Sequence, residues 1–160
     1  MVRPVTIIVA AIQALSPQVS DSNARAYAEQ IRVMAIEHSY DPFTAIALIH
    51  HESNFRPNAV SRDLEDIGLA QIRARYRGGC RNDPDPAKNP SRACIKTRMA
   101  LMNPLYNIRA MSNHITKWRQ FCRKKTKKRA LLRRWLAGYG GYSRLPNKIC
   151  NMKRTRRSAR

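Results

Sequence analysis

Residues 41–72 read DPFTAIALIHHESNFRPNAVSRDLEDIGLAQI, and this stretch contains the pattern from which the fold is predicted. Asp41 is a good helix N-cap, and Pro42 suits the first helical position because an N–H there would have no partner. A helix that begins at Pro42 places one set of side chains, spaced i, i+3, i+4 and i+7, on a single face. These are Ala45, Leu48, Ile49 and Glu52. The sequence therefore predicts a buried helix that ends in a carboxylate.

Glu52 lies at the end of this apolar stripe, where a carboxylate is unusual because burying an unpaired charge is costly. One way to keep it there is as the protonated acid, since the pKa of a carboxyl group rises when it leaves water. A general acid that works near neutral pH needs such a pKa. The alternative is that Glu52 is simply the first exposed residue as the helix ends ahead of Pro57.

Two short segments follow the helix. Residues 58–66, NAVSRDLED, are polar and turn-like, and they predict a short irregular hairpin. Residues 68–75 begin with a glycine and continue as an apolar segment, which is predicted to be a short helix.

The adjacent histidines His50 and His51, next to Glu52, suggest a metal site, but their spacing argues against it. Zinc proteases use two histidines four residues apart on one helix face, whereas adjacent side chains on a helix point about 100° apart. We therefore expect no metal ion at these histidines, and no cofactor is expected.

The charge of the chain is far from balanced. Its 160 residues contain 31 Lys+Arg against 10 Asp+Glu, a net charge of +21, with six basic side chains in residues 123–129. Such a protein attracts polyanions: nucleic acid, anionic lipid or an acidic cell-wall polymer. The length and the 43% hydrophobic content fit one folded domain, predicted at residues 21–150, with a basic disordered tail at residues 151–160.

Residues 1–20 resemble a short secretory signal. Arg3 provides the positive start, and the apolar run at residues 5–15 is too short to span a bilayer as a helix. Cleavage after Ala14 and cleavage after Ser20 are both compatible with the sequence. The alternative is an ordinary buried N-terminal helix.

The four cysteines are consistent with export. An even number in a small exported chain suggests two disulfides, for which three pairings exist. Local pairing closes the shortest loops and predicts Cys80–Cys94 and Cys122–Cys150. A zinc site is less well supported, because the cysteines lack close CxxC pairs.

Five motifs in order resemble the soluble lytic transglycosylase (SLT) domain of the goose-type lysozyme-like superfamily. The family pattern has a glutamate–serine pair that ends a helix, a serine about nine residues later, and then G-L-M-Q. Residues 52–61, ESNFRPNAVS, and residues 68–72, GLAQI, are similar to these elements. Residues 103–108, NPLYNI, match the next element, and residues 138–141, GYGG, match part of the final tyrosine turn. The resemblance covers roughly residues 26–145.

The resemblance implies a mainly α-helical, α+β lysozyme-like domain with a glycan-binding groove. Glu52 would be the sole catalytic acid/base. It would protonate the oxygen between N-acetylmuramic acid and N-acetylglucosamine, and then deprotonate the muramoyl 6-hydroxyl. That hydroxyl attacks its own anomeric carbon, so a 1,6-anhydro sugar forms and no water is consumed. An ordinary glycosidase instead needs two carboxylates at a defined separation.

The same resemblance implies further roles in the site. Ser53, Ser61 and Gln71 match positions that bind or orient the sugar, and Tyr139 matches the tyrosine that hydrogen-bonds around the glutamate. The expected partners are peptidoglycan glycan strands, together with anionic wall polymers or lipopolysaccharide, rather than nucleic acid. An exported monomer, periplasmic or secreted, without a membrane span is expected.

The chain departs from the family pattern between Ser61 and the GLAQI segment. Asp63, Glu65 and Asp66 lie where the family has small residues. One of these carboxylates could position a water and make the enzyme an inverting, lysozyme-type hydrolase, or all three could be solvated turn residues. A second alternative, from another class, is a secreted cationic protein that binds wall polymers or other polyanions without catalysis.

Overall fold

The computed structural model describes residues 3–125, with side chains as far as residue 120. The described chain is mainly helical, as predicted, and it contains a short hairpin between its third and fourth helices. The strands of that hairpin lie within residues 66–73, later in the chain than the predicted residues 58–66. The elements are α1 Val5–Leu15, α2 Asp21–Glu37, α3 Pro42–Ser53, β1 Asp66–Ile67, β2 Ile72–Arg73, α4 Arg92–Met102 and α5 Pro104–Lys125. The chain divides into two compact units, Met1–Ser112 and Asn113–Arg160, and the candidate site described below lies within the first.

Helix α3 begins as predicted. The Asp41 side chain accepts a hydrogen bond from the Phe43 N–H at 3.0 Å, and Pro42 follows as the first helical residue. The helix ends at Ser53, where Asn54 adopts the left-handed conformation with φ 51° and ψ 44°. Asparagine tolerates this conformation better than most residues, which explains a stop three residues before Pro57.

Helix α1 packs against α2 and α3. Its side chains Ile8 and Ile12 are fully buried. Residues 5–15 therefore take the arrangement of a buried N-terminal helix, which was the alternative to a secretory signal. Removal of residues 1–20 stays a prediction. No helix in the described part of the chain has both the length and the hydropathy that a membrane span requires.

The hairpin is antiparallel, with Asp66 opposite Arg73 and Ile67 opposite Ile72. The prediction of a short helix at residues 68–75 is wrong for most of its length, because Ile72 and Arg73 form a strand. The last two residues of that range belong to a short 3-10 helix, Ala74–Tyr76. Gly68 and Gln71, with φ values of 80° and 46°, reverse the chain between the two strands. Cross-strand pairing over this short turn thus overrides the local apolar pattern.

The predicted disulfide between Cys80 and Cys94 is present. Both cysteines are buried, and they join the loop after β2 to the first turn of α4. The expected pairing of Cys122 with Cys150 lies outside the residues whose side chains are described.

Candidate active site

Glu52 lies in the last turn of α3, after the buried side chains of Ala45, Leu48 and Ile49 in the same helix. Its own side chain is half-buried, so it is neither a solvated helix-end residue nor a core residue. Burial raises the pKa of Glu52; the charge of His51 lowers it, and the charge of Asp66 raises it further. A carboxyl with a raised pKa stays protonated to a higher pH than usual, as a general acid requires.

The chain leaves Glu52 through a strained turn. Asn54 and Phe55 are consecutive residues with positive φ, 51° and 58°. For a bulky residue such as Phe55, this conformation costs on the order of 1–3 kcal/mol and persists only where surrounding contacts enforce it. Phe55 is buried, and its ring stacks on Tyr27 of α2 with centroids 6.4 Å apart. The turn after the acid is therefore held by tertiary contacts.

Ser53 connects the end of α3 to the loop between the two strands. It is buried, and its hydroxyl donates to the carbonyl of Leu69 at 2.6 Å. Gln71 stabilises the same loop, since its side-chain amide nitrogen donates to the carbonyls of Ala59 at 3.1 Å and Gly68 at 3.0 Å. Both side chains hold backbone in place beside the acid, and their predicted contacts with sugar stay predictions.

Ser61 organises the turn that leads into β1. Its hydroxyl donates to the carboxylate of Asp63 at 2.5 Å and accepts from the backbone N–H of Asp66 at 2.9 Å. Hydrogen bonds of this kind are typical of side chains that nucleate a turn. Ser61 therefore sets the position of the acidic loop, and its predicted contact with the sugar stays a prediction.

The three carboxylates of this loop have different surroundings. Glu65 is buried and forms ion pairs with Arg73 and Arg75. Asp63 pairs with Arg73 at 3.0 Å, and hydrogen bonding, first of all from Ser61, lowers its pKa. Glu65 and Asp63 are thus both bound to arginine side chains, which favours a structural role for them.

Asp66 is the exception. It lies in β1 and contacts Arg73 at 3.2 Å, yet burial raises its pKa, with further increases from the charges of Asp63 and Glu65. Its charge also acts on Glu52. Of the three acidic residues singled out from the sequence, Asp66 is the one that interacts electrostatically with the candidate acid.

An open cleft of about 510 Å³ is lined by residues 56–60, which follow the strained turn in the chain. Arg56 is fixed at its edge, since its Nε donates to the carbonyl of Ser53 at 3.0 Å. Tyr139, predicted to lie beside the glutamate, falls outside the described residues.

Asn107 is a residue of this region whose role the sequence reasoning missed. It is fully buried in α5, and its side chain makes three hydrogen bonds to backbone groups. Its Oδ1 accepts from the Ala70 N–H at 2.8 Å, and its Nδ2 donates to the carbonyls of Ile67 at 2.8 Å and Leu101 at 2.7 Å. The NPLYNI motif included this asparagine, but only the fold shows that its side chain holds the loop between β1 and β2 in place.

Among residues 3–125, no group of three or more His, Cys, Asp or Glu side chains could hold a metal ion. His50, one of the two adjacent histidines that suggested a metal site, has its Nδ1 3.3 Å from the hydroxyl of Ser16.

Comparison with known proteins gave one match. The family profile described as Transglycosylase SLT domain matches residues 29–158. The matched region includes α3, the hairpin and the NPLYNI motif. Searches of curated proteins and of solved structures found no match.

Proposed function

The chain belongs to the transglycosylase SLT domain family, and from this premise we propose that it is a lytic transglycosylase that cleaves peptidoglycan with Glu52 as its only catalytic acid/base. The observation that carries the proposal is the half-buried carboxyl at the end of α3, whose pKa burial raises, within the region that the family profile matches. The proposed substrate bond is the β-1,4 linkage from N-acetylmuramic acid to N-acetylglucosamine.

The reaction needs one group that first donates and then accepts a proton. Protonated Glu52 gives its proton to the glycosidic oxygen as the bond from that oxygen to the muramoyl anomeric carbon breaks. The resulting carboxylate then takes the proton of the muramoyl 6-hydroxyl, whose oxygen bonds to the same anomeric carbon. Glu52 ends protonated again, and the products are a 1,6-anhydro sugar and a free N-acetylglucosamine 4-hydroxyl.

The surroundings of Glu52 suit both halves of this cycle. Burial raises the pKa of Glu52 and so favours the protonated form that donates first, and the charge of His51 favours the carboxylate that forms after the first step. Ser53, Gln71 and Asn107 hold the loop next to the end of α3 through hydrogen bonds to its backbone. Preorganised surroundings of this kind reduce the reorganisation needed during the reaction.

A second candidate function is hydrolysis, which the position of Asp66 favours. A second carboxylate could hold a water against the sugar, as in an inverting glycosidase. Asp66 is half-buried and acts electrostatically on Glu52. Against this, Asp66 is bound to Arg73, which leaves it less available as a base.

The pH dependence of cleavage separates the two roles of Asp66. Its negative charge raises the pKa of Glu52, so Asp66→Asn should lower that pKa and move the alkaline limb of the kcat/KM profile to lower pH. His51 acts with the opposite sign, so His51→Gln should move the same limb to higher pH. If Asp66 instead positioned a catalytic water, Asp66→Asn would lower the rate by about 10²–10⁴-fold at every pH.

We further propose that the enzyme acts outside the cytoplasm, as a periplasmic or secreted monomer. The Cys80–Cys94 disulfide supports this location, because such bonds persist in oxidising compartments. The net charge of +21 would draw the protein to the carboxylates and phosphates of the wall. Both the disulfide and the charge would suit a wall-directed enzyme.

Digestion of purified sacculi tests the proposed function. We expect soluble muropeptides whose masses correspond to 1,6-anhydro ends. Products heavier by one water, with reducing ends, would favour the hydrolase. If the protein bound sacculi but released nothing, the remaining interpretation would be a non-catalytic wall-binding protein.

A further inference from the structure

The N-terminal segment is joined to both ends of α3, the helix that bears Glu52. At the first end, the Arg3 guanidinium donates to the two carboxylate oxygens of Asp41, each at 3.4 Å, and lies 4.3 Å above the Phe43 ring. These contacts are partly exposed. They attach α1 to the start of α3, far along the helix from the acid.

The contacts at the other end come from one buried side chain and one exposed side chain. Ser16 is fully buried, and its hydroxyl donates to Oδ1 of Asn54 at 2.8 Å while lying 3.3 Å from Nδ1 of His50. The side-chain amide of Gln18 donates to the carbonyl of Asn54 at 3.0 Å. His50 and Asn54 are the residues two before and two after Glu52, so the segment after α1 contacts the chain on both sides of the acid.

Asn54 is the first residue of the two-residue left-handed turn, with φ 51°. Asparagine tolerates this conformation, but the bulky Phe55 that follows does not, so the turn as a whole depends on surrounding contacts. Tyr27 supports the second residue, Phe55, by ring stacking. Ser16 and Gln18 provide the support for the first. A leader peptide destined for removal would leave Asn54 without either partner.

We propose that Ser16 and Gln18 are positioning residues, which fix the end of α3 and thereby the Glu52 carboxyl, and that residues 3–20 remain part of the working domain. The positioning role rests on the proposed function, because Glu52 chemistry is its main readout. Cleavage after Ser20, which the sequence permits, would remove both residues. The two interpretations therefore make opposite predictions.

Steady-state kinetics on variants of the full chain test the proposal. Ser16→Ala and Gln18→Ala should each lower kcat roughly ten- to a hundredfold with little change in KM, because small displacements of a catalytic group affect the chemical step. The matched control is Arg3→Ala, which removes a contact of the same segment at the other end of α3 and should leave kcat unchanged. Equal kcat values for all three variants and the wild type would overturn the proposal.

A double-mutant cycle with Asn54→Gly adds a readout that a general loss of stability would not produce. Glycine adopts the left-handed conformation without side-chain support. In that background Ser16→Ala should cause no further loss of kcat. The same loss in both backgrounds would contradict a role exerted through Asn54.

Two measurements keep this test separate from the proposed function. If the wild-type protein releases no muropeptides, the proposed function fails, and the backbone amide resonances of Asn54 and Phe55 then decide the positioning claim. Ser16→Ala should shift them and Arg3→Ala should not; equal spectra would overturn it. The intact mass of active protein, recovered after expression of the full chain, should include residues 16–18. A fully active protein that begins after Ser20 would overturn the proposal.

Discussion

Replacing Glu52 with glutamine should lower the rate of muropeptide release by about 10²–10⁴-fold, toward the upper end because this one group serves as both acid and base. Glutamine keeps the shape of the side chain and its half-buried position, but it can neither donate the proton nor accept it. The measurement is the initial rate of release from sacculi by Glu52→Gln and wild-type protein at the same pH.

The same variant should fold at least as stably as the wild type. At neutral pH a partly buried carboxylate carries a desolvation cost that the neutral amide lacks, so its unfolding midpoint should be unchanged or higher. Glu29→Gln, at an exposed position of α2, is the matched control and should keep full activity. If Glu52→Gln released muropeptides at the wild-type rate, Glu52 would not be the catalytic acid/base.

Replacing Asn107 with alanine should reduce the free energy of unfolding by about 3–5 kcal/mol, because three buried backbone groups lose their hydrogen-bond partner together. Few single side chains satisfy so many buried groups. Urea denaturation, followed by circular dichroism, measures the change. The loop between β1 and β2 should also lose protection from hydrogen exchange.

Two further variants sharpen this prediction. Asn103→Ala, in the same motif, removes one exposed cap bond to the Tyr106 N–H and should cost about 1 kcal/mol. Gly68→Ala should resemble Asn107→Ala, since a Cβ at Gly68 would collide with the Asn107 side chain and lie 2.5 Å from the carbonyl oxygen of Leu101. If Asn103→Ala and Asn107→Ala reduced the free energy of unfolding by the same small amount, the three hydrogen bonds of Asn107 would contribute little to stability.

The sequence predicted the features that depend on local chemistry. The start of α3 follows from Asp41 and Pro42, whose capping role needs no distant partner. The Cys80–Cys94 disulfide followed from the short loop between the two residues. The face that includes Glu52 also followed, because helical periodicity alone sets it.

Features that depend on strand pairing or on tertiary contacts could not be predicted. Strand β2 forms because Arg73 pairs across a turn with Asp66, which no local pattern at residues 68–75 indicates. Asp63 and Asp66 look alike in sequence, yet hydrogen bonding lowers the pKa of the first and burial raises that of the second. Asn107 reads as an ordinary polar residue until the fold brings the loop of residues 68–71 against it.

Cleavage of sacculi in water enriched in oxygen-18 tests the central claim most directly. If Glu52 works without a second carboxylate and the muramoyl 6-hydroxyl is the nucleophile, the released muropeptides should have 1,6-anhydro ends without oxygen-18. One oxygen-18 atom at each newly formed reducing end would mean that water is the nucleophile, and would contradict the account.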